Sequence, residues 1–362
     1  MGSATKTGIW IIATGVIIAL LYLGREILAT FAMAVFLFLI IEGFGNVINN
    51  SSRLIQIGPA RVLAVLLVVG GFVGYMALIT NGLAEFGRDA GDYEEKINSL
   101  IVDVYSLAGL QEAPSLTQML FNEGGQRFFA TIANSVSGLS GDIVLILIYV
   151  AFLFTAQSGW THKLDNIFPE SQQREQVRRI GNDARLAIET YLWTQTVISA
   201  LITFLTYVSL LLMGVQNALF LSALIFVLNY IPTVGSIVAA LVPPLFALVQ
   251  PSIPGWVPAL ALQESYVYAA AVFAVVSFWQ FSIGNFIQPR MMGESLNLSA
   301  LVVLLALAIW GVIWGIPGMF LSAPLTVLMM ILFAQSPHTR WIAILLSADG
   351  KPQVRVASEQ AP

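Results

Sequence analysis

Apolar residues in this chain fall into long runs separated by short polar stretches, and most runs have the length of a bilayer crossing. The first two occupy about 8–24 and 26–42, each short enough to tilt or to pair as a hairpin. Lys6 ahead of the first run imitates a secretory leader, but no small-x-small cleavage site follows, so that run is read as a retained anchor helix. A third run, 62–81, begins after Gly58-Pro59 and holds Gly70 and Gly74, a spacing that lets two helices approach closely. Further runs lie at 140–157, 190–213 and 265–288. Two longer segments, 218–250 and 300–334, are interrupted at Asn229–Ser236 and at Trp314–Gly318, and each interruption contains an Ile-Pro step. The pattern predicts an all-α, polytopic transmembrane protein of about six to eight spans.

The two broken segments are the informative ones. Each is too long for one crossing of about 20 residues and too short for two. Proline removes an N–H and clashes with the carbonyl four residues back. In lipid the released backbone groups must be met by protein or by water in a cavity. Two topologies follow: full spans with a kink, or re-entrant hairpins with arms of roughly 21–26 Å. As hairpins entering from opposite sides, span 190–213 with 218–250 and span 265–288 with 300–334 would form an inverted-topology pair. Leu221-Ser222-Ala223-Leu224 and Leu298-Ser299-Ala300-Leu301 hint at such a repeat, although their distances to the Ile-Pro steps differ.

The polar stretches set the organisation. Residues 82–137 carry eight acids and three bases, and Ile97, Leu100, Ile101, Val104 and Leu107 recur at helical spacing. Ser115 with Gln118 reads as a capping box, and Phe128, Phe129, Ile132 and Val136 as a third helix, so this segment is a small helical insert. The loop 158–189 holds five Lys or Arg and an amphipathic repeat at Val177, Ile180, Ala184 and Ile188. Its charge places it in the cytoplasm and the acidic insert outside, with both termini cytoplasmic. The expected organisation is spans 1–81, insert 82–137, core 138–335 with the cytoplasmic loop 158–189, and a disordered cytoplasmic tail 336–362.

Composition agrees and removes whole classes. The chain is 57% apolar and 10% charged, with mean hydropathy +0.83. Between Thr190 and Thr339 only Glu264, Arg290 and Glu294 are charged, so lipid must solvate that stretch. No cysteine is present, which removes disulfides and thiolate metal sites. No basic patch with interleaved aromatics offers a nucleic-acid surface. Metalloprotease, nucleophile-elbow and phosphate-loop motifs are missing, so neither an enzyme nor an ATP-driven motor is expected, and no cofactor or metal.

Candidate chemistry lies in uncharged polar groups. Thr196, Ser199, Thr203 and Thr206 form one stripe with Gln195 beside it. Ser277, Gln280, Gly284 and Gln288 form another, with Asn285 adjacent. Such groups must face protein or a wet cavity, as interhelical hydrogen bonds or as a solute path. Glu42, Asp142 and Glu189 fall at predicted helix ends and read as solvated caps, and His162 and His338 fall in loops. Arg290 pairs with Glu294 or meets an anionic solute. The path candidates are Gln195, Asn229, Pro232, Gly235, Gln280, Asn285, Gln288, Arg290, Asn297, Pro317 and Gly318. Among them Asn229, Asn285 and Arg290 are expected to matter more than the hydroxyls.

The run Leu228–Ser236 (Leu-Asn-Tyr-Ile-Pro-Thr-Val-Gly-Ser) resembles a motif of the autoinducer-2 exporter family of permeases. So do Gly284–Gly293, Leu296–Val303, Trp310-Gly311, Gly315–Gly318 and Ser322–Leu325, covering about 185–335. Ala300 departs from the family's frequent proline. The resemblance implies a homo-oligomeric transporter of the cytoplasmic (inner) membrane. Its partners would be the bilayer and a small polar solute or a cation, because some members are associated with export of autoinducer-2 and others with sodium (or lithium)/proton exchange. Three readings therefore stand: exporter, antiporter, and a non-transporting membrane scaffold that docks partners on its acidic insert.

Overall fold

A computed structural model describes residues 3–51, 57–88, 90–107, 143–157, 159–250, 265–292 and 297–352, with positions 115 and 253. The helices are α1 (Ser3–Leu23), α2 (Arg25–Ser51), α3 (Ile57–Arg88), α4 (Ala90–Leu107), α5 (Ile143–Gln157), α6 (Trp160–Ile167), α7 (Ser171–Met213), α8 (Ala218–Leu228), α9 (Val234–Val249), α10 (Ser265–Ser282), α11 (Gln288–Met292), α12 (Ala300–Ala334) and α13 (Arg340–Leu346). A π-helical turn, Ile283–Ile287, joins α10 to α11. Among the described residues, five helical stretches are long and apolar enough to cross a membrane, in α2, α3, α7, α10–α11 and α12. The protein is an all-α, multi-pass membrane protein. Within the acidic insert, α4 forms where the spacing predicts a helix. The capping-box helix and the helix around 128–136 lie outside the described residues.

The amphipathic repeat 177–188 is not a separate connector. It is the first half of α7, which runs for 43 residues. No Gly or Pro occurs between Asn182 and Met213 to stop propagation. The helix ends at Gly214, whose φ of 74° suits a residue without a Cβ.

The chain forms two units. The first comprises Met1–Ala64, Asp142–Trp193 and Met292–Pro362. Its core sets Phe36 and Leu39 of α2 against Ile188, Tyr191 and Leu192 of α7 and against Ala306, Trp310, Trp314 and Leu321 of α12. Edge-to-face contacts Phe31–Tyr149 (5.6 Å) and Phe38–Phe154 (4.8 Å) attach α5 to α2. Helix α12 is divided at Gly315, with φ 67° and ψ −141°. Leu298, just before α12, packs with Val327 and Ile331 near its end. A straight helix would hold those positions about 50 Å apart, so the two arms fold back as a hairpin.

The tail expected to be disordered from Ser336 is ordered through Pro352. It forms α13 and bridges Leu298 through Ser347. Asn297, at φ 43°, donates to Asp349 Oδ1 (2.9 Å) and to the Lys351 carbonyl (2.8 Å). Glu42 is also not a solvated cap. It lies inside α2, is 1% exposed, and pairs with Arg61 and Arg185.

The second unit comprises Val65–Gly141 and Thr194–Met291. Helices α8 and α9 form a hairpin whose feet are joined by the Gln216 N–H donating to Gln250 Oε1 (3.3 Å). Its core holds Leu221 and Ile225 of α8, Ala239 and Ala247 of α9, and Tyr268, Val272 and Val276 of α10. Tyr93 of α4 is buried and donates to Gln216 Oε1 (3.1 Å), which docks the insert's helix on the hairpin foot. A Cβ added at Gly70 or Gly74 would meet nothing within 4 Å, so among the described residues the close approach their spacing allows is not used. Both broken segments are thus helical hairpins. The Leu-Ser-Ala-Leu pair is not a structural repeat: Ser222 sits mid-helix and bonds back to the Ala218 carbonyl, whereas Ser299 caps the start of α12.

Each hairpin turn depends on a glycine. A Cβ on Gly235 would overlap the Leu228 carbonyl oxygen, and one on Gly318 would overlap the Trp310 carbonyl oxygen. Gly235→Ala and Gly318→Ala should each destabilise by about 2–4 kcal/mol, since overpacking against backbone leaves little room for relaxation. Gly70→Ala and Gly74→Ala should stay near wild type. Thermal unfolding in detergent checks this, and equal midpoints for all four variants would refute the account of the turns.

Candidate functional site

The turn of the α8–α9 hairpin winds tightly before it breaks. Tyr230 N–H donates to the Val227 carbonyl (3.1 Å) and Ile231 N–H to the Leu228 carbonyl (2.9 Å). Pro232 has no donor, and Thr233 follows at φ 59°, ψ −55°. A β-branched residue at positive φ is an outlier and carries strain. Its carbonyl is held by Ile237 N–H (3.2 Å) and by the Ser236 hydroxyl (2.8 Å).

Beneath this turn four amides join. Gln195 of α7 donates to the Asn229 carbonyl (2.6 Å), and Gln288 donates to Gln195 Oε1 (3.3 Å). Gln280 of α10 donates to Asn229 Oδ1 (3.1 Å). The hydroxyls of Thr196 and Tyr230 share a bond of 2.7 Å. The π-turn makes this convergence possible. Eight α-helical steps would carry Gln288 about 80° off the face of Gln280. The residue added by an i→i+5 turn absorbs most of that angle, and such turns favour functional sites.

The seam continues beyond the amides. Gln195–Gln288, Ser209–Trp279 and Met213–Tyr268 are hydrogen-bonded pairs, which makes α7 and α10 antiparallel. The stripes visible in the sequence lie on these helices, Gln195–Thr206 on α7 and Ser277–Gln288 from α10 to α11, and the Gln195–Gln288 bond joins them at one end. Helical Ser and Thr commonly bond back to the preceding turn. Ser209 does so, to the Leu205 carbonyl (2.8 Å), and so does Ser222. Ser199, Thr203, Thr206 and Ser277 do not. Their hydroxyls, and the Asn229 Nδ2, are buried and find no partner among the described residues. An unsatisfied buried polar group costs about 1–3 kcal/mol, so each of these five has a hydrogen-bonding capacity still open among the described residues.

The remaining candidates fall elsewhere. Pro232 and Gly235 shape the turn. Asn285 is exposed and donates to the Phe281 carbonyl of its own helix (2.9 Å). Arg290 is exposed on α11, and Glu294, its expected partner, lies outside the described residues. Asn297, Pro317 and Gly318 belong to the first unit, where Asn297 ties down the C-terminal segment and the other two form the α12 turn. Sequence reasoning ranks Asn285 and Arg290 above the hydroxyls; in the structure both are exposed, whereas Ser199 and Thr206 are buried. Tyr230 was missed as a site residue, although its place beside Asn229 in the broken motif is a signal for it. Among the described residues no group of His, Cys, Asp and Glu could hold a metal.

A buried seam of uncharged polar groups beside a broken helix, in a multi-pass helical chain, belongs to the class of membrane solute transporters. The chain is a member of the AI-2E transporter family, whose model matches residues 11–337. It is 28% identical to a provisionally named transport protein of Haemophilus influenzae, over 94% of this chain and 96% of the relative. It is 27% identical to the AI-2 transport protein TqsA of Escherichia coli, over 89% of this chain and 90% of TqsA. It is 28% identical to the provisionally named transport protein YhhT of Escherichia coli, over 82% of this chain and 80% of YhhT.

The geometry ranks the amides. Asn229→Ala removes the acceptor of Gln280 and should cost about 1–3 kcal/mol, as a buried donor left unpaired does. Asn285→Ala, at an exposed position, should stay within about 0.5 kcal/mol of wild type. Denaturant unfolding in micelles measures both, and the reverse order would dismiss the amide cluster.

Proposed function

We propose that the chain is a secondary or passive transporter that exports a small polar solute resembling autoinducer-2, with the seam of the second unit as its path. The carrying observation is the set of five buried, unpartnered polar groups on α7, α10 and the hairpin turn. A hydroxylated solute can satisfy hydroxyls and amides in succession without a charged side chain. Among the described residues the hydrogen-bonded seam contains no carboxylate, histidine, lysine or arginine, which favours a neutral solute over cation/proton exchange. The relative named as an AI-2 transport protein supports the solute class. A non-transporting scaffold would have no use for these groups. The protein would act in the cytoplasmic membrane as a homo-oligomer.

Reconstituted protein should carry autoinducer-2 into proteoliposomes faster than empty vesicles do, and comparing an imposed proton gradient, a sodium gradient and no gradient separates a driven route from a passive one. Asn229→Ala should lower the initial rate by roughly 5–150-fold, the range that 1–3 kcal/mol produces, while Arg290→Ala should leave it within about twofold. Wild-type rates no higher than empty vesicles under every gradient would remove the export reading.

The same reading makes the two hairpins re-entrant from opposite faces, with both termini cytoplasmic. A chain without cysteine is suited to labelling. Asn217→Cys, at the foot of the α8–α9 hairpin, should react with an impermeant thiol reagent on intact cells. His338→Cys, beyond α12, should react only after permeabilisation. Labelling of both from one side would end the inverted-topology proposal.

A further inference from the structure

Helix α3 contributes none of the polar groups of the seam, yet one stripe of it supports a residue that does. Leu66, Leu67 and Val73 are each more than half exposed. Tyr75, Ile79 and Gly82 stand at i, i+4 and i+7, on one face. Ile79 packs on the core of the second unit, and a Cβ on Gly82 would overlap the Phe220 side chain of α8. The missing side chain of Gly82 is what lets α3 come this close. These residues, α8 and the turn after it all belong to the second unit.

Tyr75 makes two contacts from this face. Its hydroxyl donates to the Ala223 carbonyl (3.0 Å), and its ring centroid lies 6.2 Å from that of Phe226. Phe226 in turn meets Tyr230 edge to face, at 5.7 Å. Tyr230 is buried, and its hydroxyl shares the 2.7 Å bond with Thr196. Three rings thus run from α3 through α8 to the hairpin turn and end on a hydroxyl pair beside the amides of Gln195 and Asn229. A carbonyl inside a helix is already met by the N–H four residues on, so the Tyr75 bond rescues no orphan and instead fixes where the Tyr75 ring lies. Tyr230 stands past the last residue of α8, Leu228, where helical packing no longer sets side-chain direction. Its ring takes its direction from what packs on it, and Phe226 is that neighbour.

We propose that Tyr75 is a positioning residue for transport, which through Phe226 fixes the ring of Tyr230 and so the direction in which the Tyr230–Thr196 hydroxyl pair meets a solute. The proposal rests on the reading of the seam as the path. It assigns α3 a part in the site, where run length alone marks it as a plain crossing helix.

The test uses the full chain made with 3-fluorotyrosine, in which the fluorine NMR signal of Tyr230 is identified by its loss in Tyr230→Phe. That signal reports on the ring without any transported solute. Tyr75→Leu and Phe226→Leu should each shift and broaden it, Tyr75→Phe should shift it less in the same direction, and Val73→Leu, on the exposed face, should leave it in place. In proteoliposomes Tyr75→Leu and Phe226→Leu should each lower autoinducer-2 flux by about tenfold, as a displaced site group does, and the double variant no further, because both act through one ring. Tyr75→Phe, which keeps the ring, should recover most of the rate. An unmoved Tyr230 signal in folded Tyr75→Leu would overturn the proposal, and so would independent losses that multiply to about a hundredfold in the double variant. If the leucine variants do not fold, Tyr75→Phe decides, and an unmoved signal there sinks the idea. If the wild type carries no autoinducer-2, the transport reading fails alone, and the fluorine comparison still decides whether Tyr75 sets the ring of Tyr230.

Discussion

A peptide carbonyl in a bilayer has no water to turn to, and this constraint governs how the chain breaks its helices. At Pro232 and Pro317 the helical ladder loses a donor. The chain responds each time with a glycine placed against the carbonyl of the incoming arm, Leu228 in one hairpin and Trp310 in the other. The two arms then close on each other, and the exposed polar backbone is confined to the turn. Interrupted helices are thereby compatible with lipid, and the interruption becomes a place where side-chain amides can gather.

The two units use polar groups differently. In the second unit the polar groups on α7 and α10 are uncharged, and several hydroxyls decline the backbone bond that Ser209 and Ser222 accept. In the first unit the buried polar groups at Glu42, Arg61 and Arg185 are charged and mutually paired. Uncharged, incompletely paired groups can exchange partners at small cost. Paired ions cannot, because separation strands a charge in a poor solvent.

Much of this was legible from residue order. Run lengths of apolar residues carry the all-α membrane class, and the Ile-Pro steps mark both hairpins. The stripes at Gln195–Thr206 and Ser277–Gln288 were visible as periodicities because helical spacing maps directly onto a face. What stayed hidden depended on partners distant in sequence. Nothing local distinguishes Glu42 from a solvated cap, since Arg61 and Arg185 are 19 and 143 residues away. The exposure of Asn285 and Arg290 turns on a π-turn that no spacing rule announces. Helix α7 joins the amphipathic repeat at the end of the loop 158–189 to the apolar run after it, a continuity that the charges hid although no breaker lies between them. The ordered tail was missed because α13 is short and its anchor, Asn297, lies beyond the preceding hairpin.

That anchor bears on the order in which the protein can be made. The first unit draws on both ends of the chain, and the feet of its hairpin are bridged through Leu298 and Ser347. Ser347 leaves the ribosome after every other residue this closure needs, so the unit cannot close before that residue is made. The segment Thr194–Met291, with its own hairpin and core, is available well before that. Helices α1 and α2 must therefore wait in the membrane with their α12-facing surfaces unpaired. Lipid tolerates that wait, since an apolar helix face loses little by remaining against acyl chains. Glu42 tolerates it less, and Arg61, arriving soon after it on the next helix, is the first partner to relieve it.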